Sequence, residues 1–172
     1  MRALLWLGLI LVMASSSTPA TQDIQKGTHA SYSVAISTPQ TAVKVGAEIK
    51  IDILLTNTSN REILVTVDNG NRGEFDYTID VLDRNGHEPH ETKYFRAVLG
   101  KDSGDPGDTS SLVVAHSAGL RQVKPGGTLK SSIDLTQLYD LQPGQYTVRV
   151  EDIEQASQIH IRSKAIKLTV TP

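Results

Sequence analysis

The segment Leu112-Val-Val-Ala-His-Ser-Ala-Gly119 contains the residue types of a nucleophilic hydrolase site. It resembles the strand and sharp turn that expose a nucleophilic serine, with Ser117 in the nucleophile position and Ala115 in place of the first glycine. Such a site needs a helix directly after the serine, which holds the hydroxyl group and supplies an oxyanion donor. The turn residues Lys124-Pro-Gly-Gly127 follow instead. We therefore predict an edge strand that ends in a polar turn, and no catalytic residue.

Three aspartates, Asp102, Asp105 and Asp108, lie in one glycine-containing segment. Carboxylate oxygens are the ligands that calcium prefers, but this spacing lacks the alternate-position pattern of an EF-hand and no glutamate closes it. A solvated acidic loop is the favoured interpretation, with calcium binding as the weaker alternative.

Two histidines, His87 and His90, lie close together with glutamates beside them. Pro89 between them forbids the helical spacing that places paired metal ligands on one face. We predict no metal site here and no cofactor.

The triplet Asn57-Thr-Ser59 matches the acceptor sequence for N-glycosylation. An Asx-type turn at the end of a strand explains the same residues without a sugar, and we favour it. For carbohydrate binding, the sequence offers Tyr94, Phe95 and Tyr139 as stacking residues, because Phe75, Tyr77 and Tyr146 fall on predicted core faces and the single tryptophan is Trp6.

Residues 1–20 have the pattern of a secretory signal peptide. Arg2 is followed by an apolar run from Ala3 to Met13, which is too short to span a bilayer, and small residues suited to cleavage stand at Ala14 and Ala20. We predict export to the bacterial periplasm or beyond, a flexible tail over 21–28, and no integral membrane segment after cleavage.

Charge and cysteine content narrow the function classes. Removal of the signal peptide takes away Arg2 and no acidic residue, so the formal net charge of −2 becomes −3. Nucleic-acid binding needs clustered Lys and Arg, which this chain lacks. The absence of cysteine from the whole sequence excludes a disulfide scaffold, a thiol enzyme and a lipid-anchored lipoprotein.

The elements that carry these residues are predicted to be strands. Apolar and polar residues alternate over Glu48–Thr56, Ile63–Val67, Phe75–Val81 and Tyr146–Val150, and turn signals such as Asn85-Gly86 recur about every ten residues. A loop is predicted at Asp68–Gly73 and a single helical turn at Thr136–Tyr139. The strand after Asn85-Gly86 is expected near His87–Glu91, with an extension over Tyr94–Leu99 as a further expectation. This pattern predicts an all-β fold, an immunoglobulin-like antiparallel β-sandwich of seven to nine strands formed by residues 29–172 as one domain.

The segment Pro143-Gly-Gln-Tyr146 predicts a tyrosine corner. Pro143 and Gly144 favour a turn with positive φ at the glycine, and a strand with Tyr146 on its inner face follows. The hydroxyl of a tyrosine at such a corner bonds to the backbone a few residues upstream. Pro143, Gly144 and Tyr146 are therefore structural candidates.

Four landmarks occur in an order that resembles the BsuPI-type intracellular proteinase-inhibitor domain: Leu55-Thr-Asn-Thr-Ser59, Phe75–Val81 followed by Asp83-Arg-Asn-Gly86, Val123–Gly127 and Pro143–Tyr146. The resemblance covers roughly residues 48 to 150. It implies an immunoglobulin-like sandwich and an inhibitory activity.

The leading functional hypothesis is an exported, non-enzymatic module that contacts another protein through the long polar loop 100–111 or an exposed sheet edge. One alternative is a proteinase inhibitor of BsuPI-like type, with a protease as the partner. The other is a calcium- or carbohydrate-binding module.

Overall fold

The computed structural model describes residues 29–101 and 114–172. The predicted signal peptide 1–20, the tail 21–28 and positions 102–111 of the predicted loop lie outside the described residues, together with Asp102, Asp105 and Asp108.

The protein has an all-β fold, which confirms the predicted class. Twelve strands are present in the described residues, and nine of them have at least four residues. In chain order they are β1 (Tyr32–Ser37), β2 (Ala42–Lys44), β3 (Lys50–Asn57), β4 (Ile63–Asp68), β5 (Thr78–Asp83), β6 (His90–Glu91), β7 (Ala118–Val123), β8 (Thr128–Asp134), β9 (Tyr139–Asp140), β10 (Gly144–Glu154), β11 (Ile159–Arg162) and β12 (Ile166–Thr171).

The strands form two larger sheets and two ribbons. One sheet has the order β1-β3-β8, and the other has the order β11-β10-β12-β2, with β5 on the second side of β10. Strand β2 is parallel to β12, and the other pairs are antiparallel. The ribbons are β4-β7 and β6-β9.

The two larger sheets share one hydrophobic core. In β3, Ile51, Ile53 and Leu55 are fully buried, while the alternating Lys50 and Asp52 are exposed. Side chains of successive strand residues point to opposite faces of a sheet, so the alternation in the sequence becomes one buried face. Strand β10 contributes its own alternating buried residues to the same cluster: Tyr146, Val148 and Val150.

Short helices occupy places where the sequence predicts strands or turns. A 3₁₀ helix (Gly73–Phe75) replaces the start of the predicted strand Phe75–Val81. Helix α1 (Lys93–Val98) replaces a predicted strand over Tyr94–Leu99, because the Thr92 side chain caps it by accepting a hydrogen bond from the Phe95 N–H. Helix α2 (Leu135–Leu138) falls near the single helical turn expected at Thr136–Tyr139.

The Asn85-Gly86 turn does not continue into a long hairpin. The Asp83 N–H donates to the His87 carbonyl, and Gly86 has a φ of 80°. The ladder stops there, and β6 pairs with β9 rather than with β5. Pro89 lacks a backbone N–H and separates the turn from β6.

Candidate functional site

A cleft of about 680 Å³ follows one edge of strand β4. All residues from Ile63 to Val67 line it, together with Ile153–Ala156 on the opposite side. Alternate residues of a strand point to opposite faces, so a cleft lined by five consecutive residues lies along the strand's edge. Within the described residues, β4 pairs with β7 alone, and its second edge faces this cleft.

Backbone hydrogen bonds show which amide groups of β4 face the cleft. The Asn69 N–H donates to the Ser117 carbonyl on the β7 side, at 2.8 Å. The Asp68 N–H donates instead to Asp76 Oδ1, at 2.7 Å. Because successive N–H groups of a strand alternate in direction, those of Leu64 and Thr66 point the same way as that of Asp68, away from β7.

The buried carboxylate of Asp68 holds the C-terminal end of β4 in place through hydrogen bonds. Its Oδ2 accepts from the Gly70 N–H at 2.8 Å and from Arg72 Nε at 3.2 Å. The Arg72 guanidinium holds the pKa of this carboxyl below its usual range, although burial acts in the opposite direction. The negative charge of Asp68 is therefore matched within the fold.

An aromatic stack joins this end of β4 to the start of β7. The Phe75 ring lies 4.5 Å from the His116 ring with an interplanar angle of 16°, and the Arg72 guanidinium lies 4.4 Å from the Phe75 centroid. His116 Nδ1 is also 4.0 Å from Asp68 Oδ1. Arg72 and His116 therefore both lie against the Phe75 ring and beside the Asp68 carboxyl group.

The opposite wall of the cleft is acidic. Asp152 Oδ2 accepts from the Tyr32 hydroxyl at 2.7 Å. Burial, and then this bond, raises the pKa of Tyr32, so the phenol stays protonated. Glu154 is 8% exposed and accepts from the Ser31 N–H at 3.0 Å. Burial alone raises the pKa of Glu154, but the bonds from Ser157 and Ser31 outweigh it, and the pKa is lowered.

Asp76 is the carboxyl of the cleft with the most unfavourable environment. Burial raises its pKa to about 6, and the negative charges of Asp68, Asp152 and Glu74 act in the same direction, whereas the bond from the Asp68 N–H acts against them. Its Oδ2 is buried without a hydrogen-bond partner among the described residues. A carboxyl with a strongly raised pKa in a cleft is a functional candidate.

Ser117, the residue of the hydrolase-like segment, is exposed. Its Oγ contacts the Asn69 amide at 3.2 Å, and strand β7, rather than a helix, follows it directly. The neighbouring imidazole of His116 is stacked on Phe75. No described contact therefore links Ser117 to a general base.

Asn57 is 1% exposed. Its Nδ2 donates to the carbonyls of Arg61 and Val123, and its Oδ1 accepts from the Ser59 N–H at 2.9 Å. These bonds form an Asx turn and use both hydrogens of the amide nitrogen, which leaves no accessible nitrogen for a sugar.

The three predicted stacking residues do not form an exposed platform. Phe95 and Tyr139 are 4% and 5% exposed and pack edge to face in the core, at 5.2 Å between ring centroids. Tyr94 is half-buried, and its hydroxyl donates to Glu74 at 2.8 Å. Helix α1 turns Phe95 inward, so neither Phe95 nor Tyr139 is exposed for stacking on a sugar.

No group of three or more metal-ligating side chains occurs within 29–101 and 114–172. The weak calcium candidates Asp102, Asp105 and Asp108 lie outside those ranges. His87 is highly exposed beside Asp83, and His90 lies in β6.

The predicted structural residues lie at the start of β10. The Tyr146 ring is 6% exposed, and its hydroxyl donates to the Gln142 carbonyl at 2.7 Å. Gly144, which follows Pro143, does not take the positive φ that the Pro-Gly pair predicts, because β10 already begins there.

The sequence does not single out Asp68, Asp76 or His116 as functional residues. Asp68 opens a segment that predicts a loop, and Asp76 alternates with apolar residues as an outward-facing strand residue would. A hydrogen bond from the Asp68 N–H to the Asp76 carboxyl group, eight positions along the chain, brings these two aspartates together. The described helices include none that is long and apolar enough to cross a membrane.

The fold and this cleft define an all-β protein with an open strand edge. No family model matches the chain, and no curated protein matches it. Solved structures with some likeness include the Pseudomonas fluorescens alkylpurine DNA glycosylase AlkC bound to DNA containing an abasic site analogue, at 14% identity and a TM-score of 0.42, over 83% of this chain and 31% of that one.

Two further likenesses have similar strength. One is the structural-genomics target SoR45, at 11% identity and a TM-score of 0.39, over 83% of this chain and 88% of that one. The other is Bacteroides uniformis beta-glucuronidase 2, at 12% identity and a TM-score of 0.37, over 80% of this chain and 13% of that one. Likenesses at this level indicate neither the activity nor the partners of this chain.

One prediction from the sequence needs correction. The exclusion of enzymatic function is wrong as a general statement, because the similar structures include two enzymes, the glycosylase and the glucuronidase. An all-β scaffold cannot exclude catalysis, since activity resides in a site rather than in a fold. No particular activity follows for this chain.

Proposed function

We propose that this protein binds an extended segment of a partner protein by strand addition along the free edge of β4. The observation that carries the proposal is that β4 pairs, among the described residues, with β7 alone while a cleft of about 680 Å³ follows its other edge. A six-residue strand is about 20 Å long, so the edge can pair with a segment of similar length. Main-chain bonds would supply affinity, and the cleft would select side chains.

The composition of β4 supports this proposal. Proteins commonly protect a free sheet edge with lysine, proline or a bulge. Strand β4 has the sequence Ile-Leu-Val-Thr-Val-Asp, which contains no basic residue and no proline, and it pairs with β7 without a break in register. An unprotected edge of this kind favours pairing with another strand.

The outer face of the β4-β7 ribbon adds an apolar contact. Leu64 is 65% exposed and Leu120 is 68% exposed. Leu64 lies opposite Gln122 and Thr66 lies opposite Leu120, so the two leucines are diagonal neighbours on one face. A strand added beside β4 would place its outward side chains next to Leu64.

The test compares two substitutions at one position. Thr66→Pro removes an N–H group that faces the cleft, whereas Thr66→Val keeps it. Random peptides displayed on phage are selected on the chain without residues 1–20, and binding of the selected peptides is measured by calorimetry. We expect equal affinity for wild type and Thr66→Val, and about a tenfold or greater loss for Thr66→Pro, because the added strand loses a main-chain bond.

Amide exchange provides the positional readout. A bound peptide should slow exchange at Leu64 and Thr66, and circular dichroism should show that both variants remain folded. Equal binding to all three proteins, or no selected peptide, contradicts the proposal. A tenfold gain in affinity on deletion of residues 21–28 would assign the edge to this chain's own N-terminal segment instead.

A further inference from the structure

We infer that the partner segment presents a lysine or arginine side chain to Asp76 at the end of the β4 edge, an inference that rests on the strand addition proposed above. The free edge leads directly to this carboxyl. The cleft-facing N–H of Asp68, which belongs to the same set as those of Leu64 and Thr66, is bonded to Asp76 Oδ1. An added strand that pairs with Leu64 and Thr66 therefore ends beside Asp76.

Charge in the cleft favours a cationic occupant. The described residues contribute four carboxyl groups to its lining: Glu62, Asp76, Asp152 and Glu154. Neither Asp76 nor Asp152 forms an ion pair with a described residue. The basic side chains of the lining lie near other carboxyl groups, since His116 Nδ1 is 4.0 Å from Asp68 Oδ1 and the charge of Arg61 lowers the pKa of Glu154.

The carboxyl groups of Asp68 and Asp76 differ in the charges around them. Asp68 is buried and is held by Arg72 from its own chain. Asp76 faces three negative groups, Asp68 from β4, Glu74 from the 3₁₀ helix and Asp152 from β10. A cation supplied by a partner would relieve this repulsion and form a charge-assisted hydrogen bond.

The surroundings also suit the stem of a basic side chain. Phe75 and Tyr77 line the cleft beside Asp76, with Ile63 and Val65 on the β4 side. Lysine and arginine pack their methylene groups against such surfaces while the charged head reaches a polar partner. The cleft therefore fits a long cationic side chain better than a short one.

The test uses the peptides selected above, each with its basic residue replaced by norleucine, which keeps the length and removes the charge. We expect this change to weaken binding to the wild type by about tenfold, a typical effect for one partly desolvated charge pair. Asp76→Asn should lower the affinity for the lysine peptide by the same factor. The affinity for the norleucine peptide should not change. This non-additive result distinguishes a direct pair from a general effect on the fold.

The pH dependence supplies a second readout. Affinity of the lysine peptide for the wild type should fall as the pH is lowered from 7.5 to 5.5, because Asp76 becomes protonated, and Asp76→Asn should abolish this change. A histidine is the other side-chain type that changes charge in this range. His116→Gln is therefore the control, and it should retain the pH dependence.

The outcomes separate this inference from the proposed function. Peptides that lose affinity for Thr66→Pro but carry no basic residue, or bind equally well with norleucine, overturn the inference and leave strand addition intact. Retention of lysine-peptide affinity by Asp76→Asn overturns it as well. If no selected peptide depends on Thr66, the proposed function fails, and this inference fails with it.

Discussion

Strands β3 and β4 are neighbours in the sequence with similar alternating patterns, but they have different environments. β3 pairs with β1 on one side and β8 on the other, and its Ile51 and Ile53 are 0% and 1% exposed. In the part of the chain that the structure describes, β4 has one neighbour, and its Leu64 is 65% exposed. The comparison teaches that alternation identifies a strand, whereas the number of its neighbours decides whether the strand supports the core or is open to a partner.

The largest expected difference between these strands is in stability. Ile51→Ala should lower the free energy of unfolding by about 3 to 4 kcal/mol, because it leaves a cavity in the shared core. Leu64→Ala should change it by less than about 0.5 kcal/mol, because the side chain is already in water. Urea unfolding followed by circular dichroism measures both, and similar losses would show that β4 is a core strand after all.

Asp76→Asn should produce an intermediate effect of opposite sign. The folded protein holds the pKa of Asp76 at about 6, above its usual value. The wild type therefore loses stability as the pH rises from 4 through 6, and this loss is complete above that range. We expect Asp76→Asn to be more stable than the wild type by about 1 to 2 kcal/mol at pH 8, a value reduced for solvent screening of a partly exposed carboxyl.

At pH 4 the two proteins should have nearly equal stability, because both then carry a neutral side chain at this position. Thermal unfolding at pH 4, 6 and 8 gives the comparison, with Asp80→Asn as a control outside the cleft. A destabilised Asp76→Asn at pH 8 would mean that the carboxylate supports the fold, and the contrast between the cleft and the core would lose its basis.

The smallest expected effects come from single hydrogen bonds. Tyr146→Phe removes the 2.7 Å bond to the Gln142 carbonyl and should cost about 1 kcal/mol. Gln122→Ala removes an exposed bond across the β4-β7 ribbon to Glu62 and should cost less than about 0.5 kcal/mol. Chemical denaturation resolves this difference, and a larger loss at Gln122 would indicate that the ribbon is a stabilising part of the core.

Part of the fold follows from short-range patterns. The apolar faces of β3 and β10 are evident from alternation, and the Asx turn at Asn57 and the bond from Tyr146 to Gln142 join residues two and four positions apart. Helix α1 was missed because its apolar residues also fit a strand, and its capping residue Thr92 was the available signal.

The candidate site depends on contacts that no local pattern contains. Asp76 has the spacing of an outward-facing strand residue, but the 3₁₀ helix at Gly73–Phe75 redirects the chain and places its carboxyl against the Asp68 N–H. Its raised pKa arises from burial and from charges on other elements, Asp152 of β10 among them.

The sequence by itself determined the all-β class, the positions of the main strands and the turns between them, because period-two alternation and turn chemistry act over a few residues. Only the tertiary structure decided which aromatic residues are buried and, among the described residues, which strand edge stays open and which carboxyl groups form no ion pair. These properties depend on pairing between segments far apart in the chain, such as β4 with β7, which the alternation of either strand leaves unspecified.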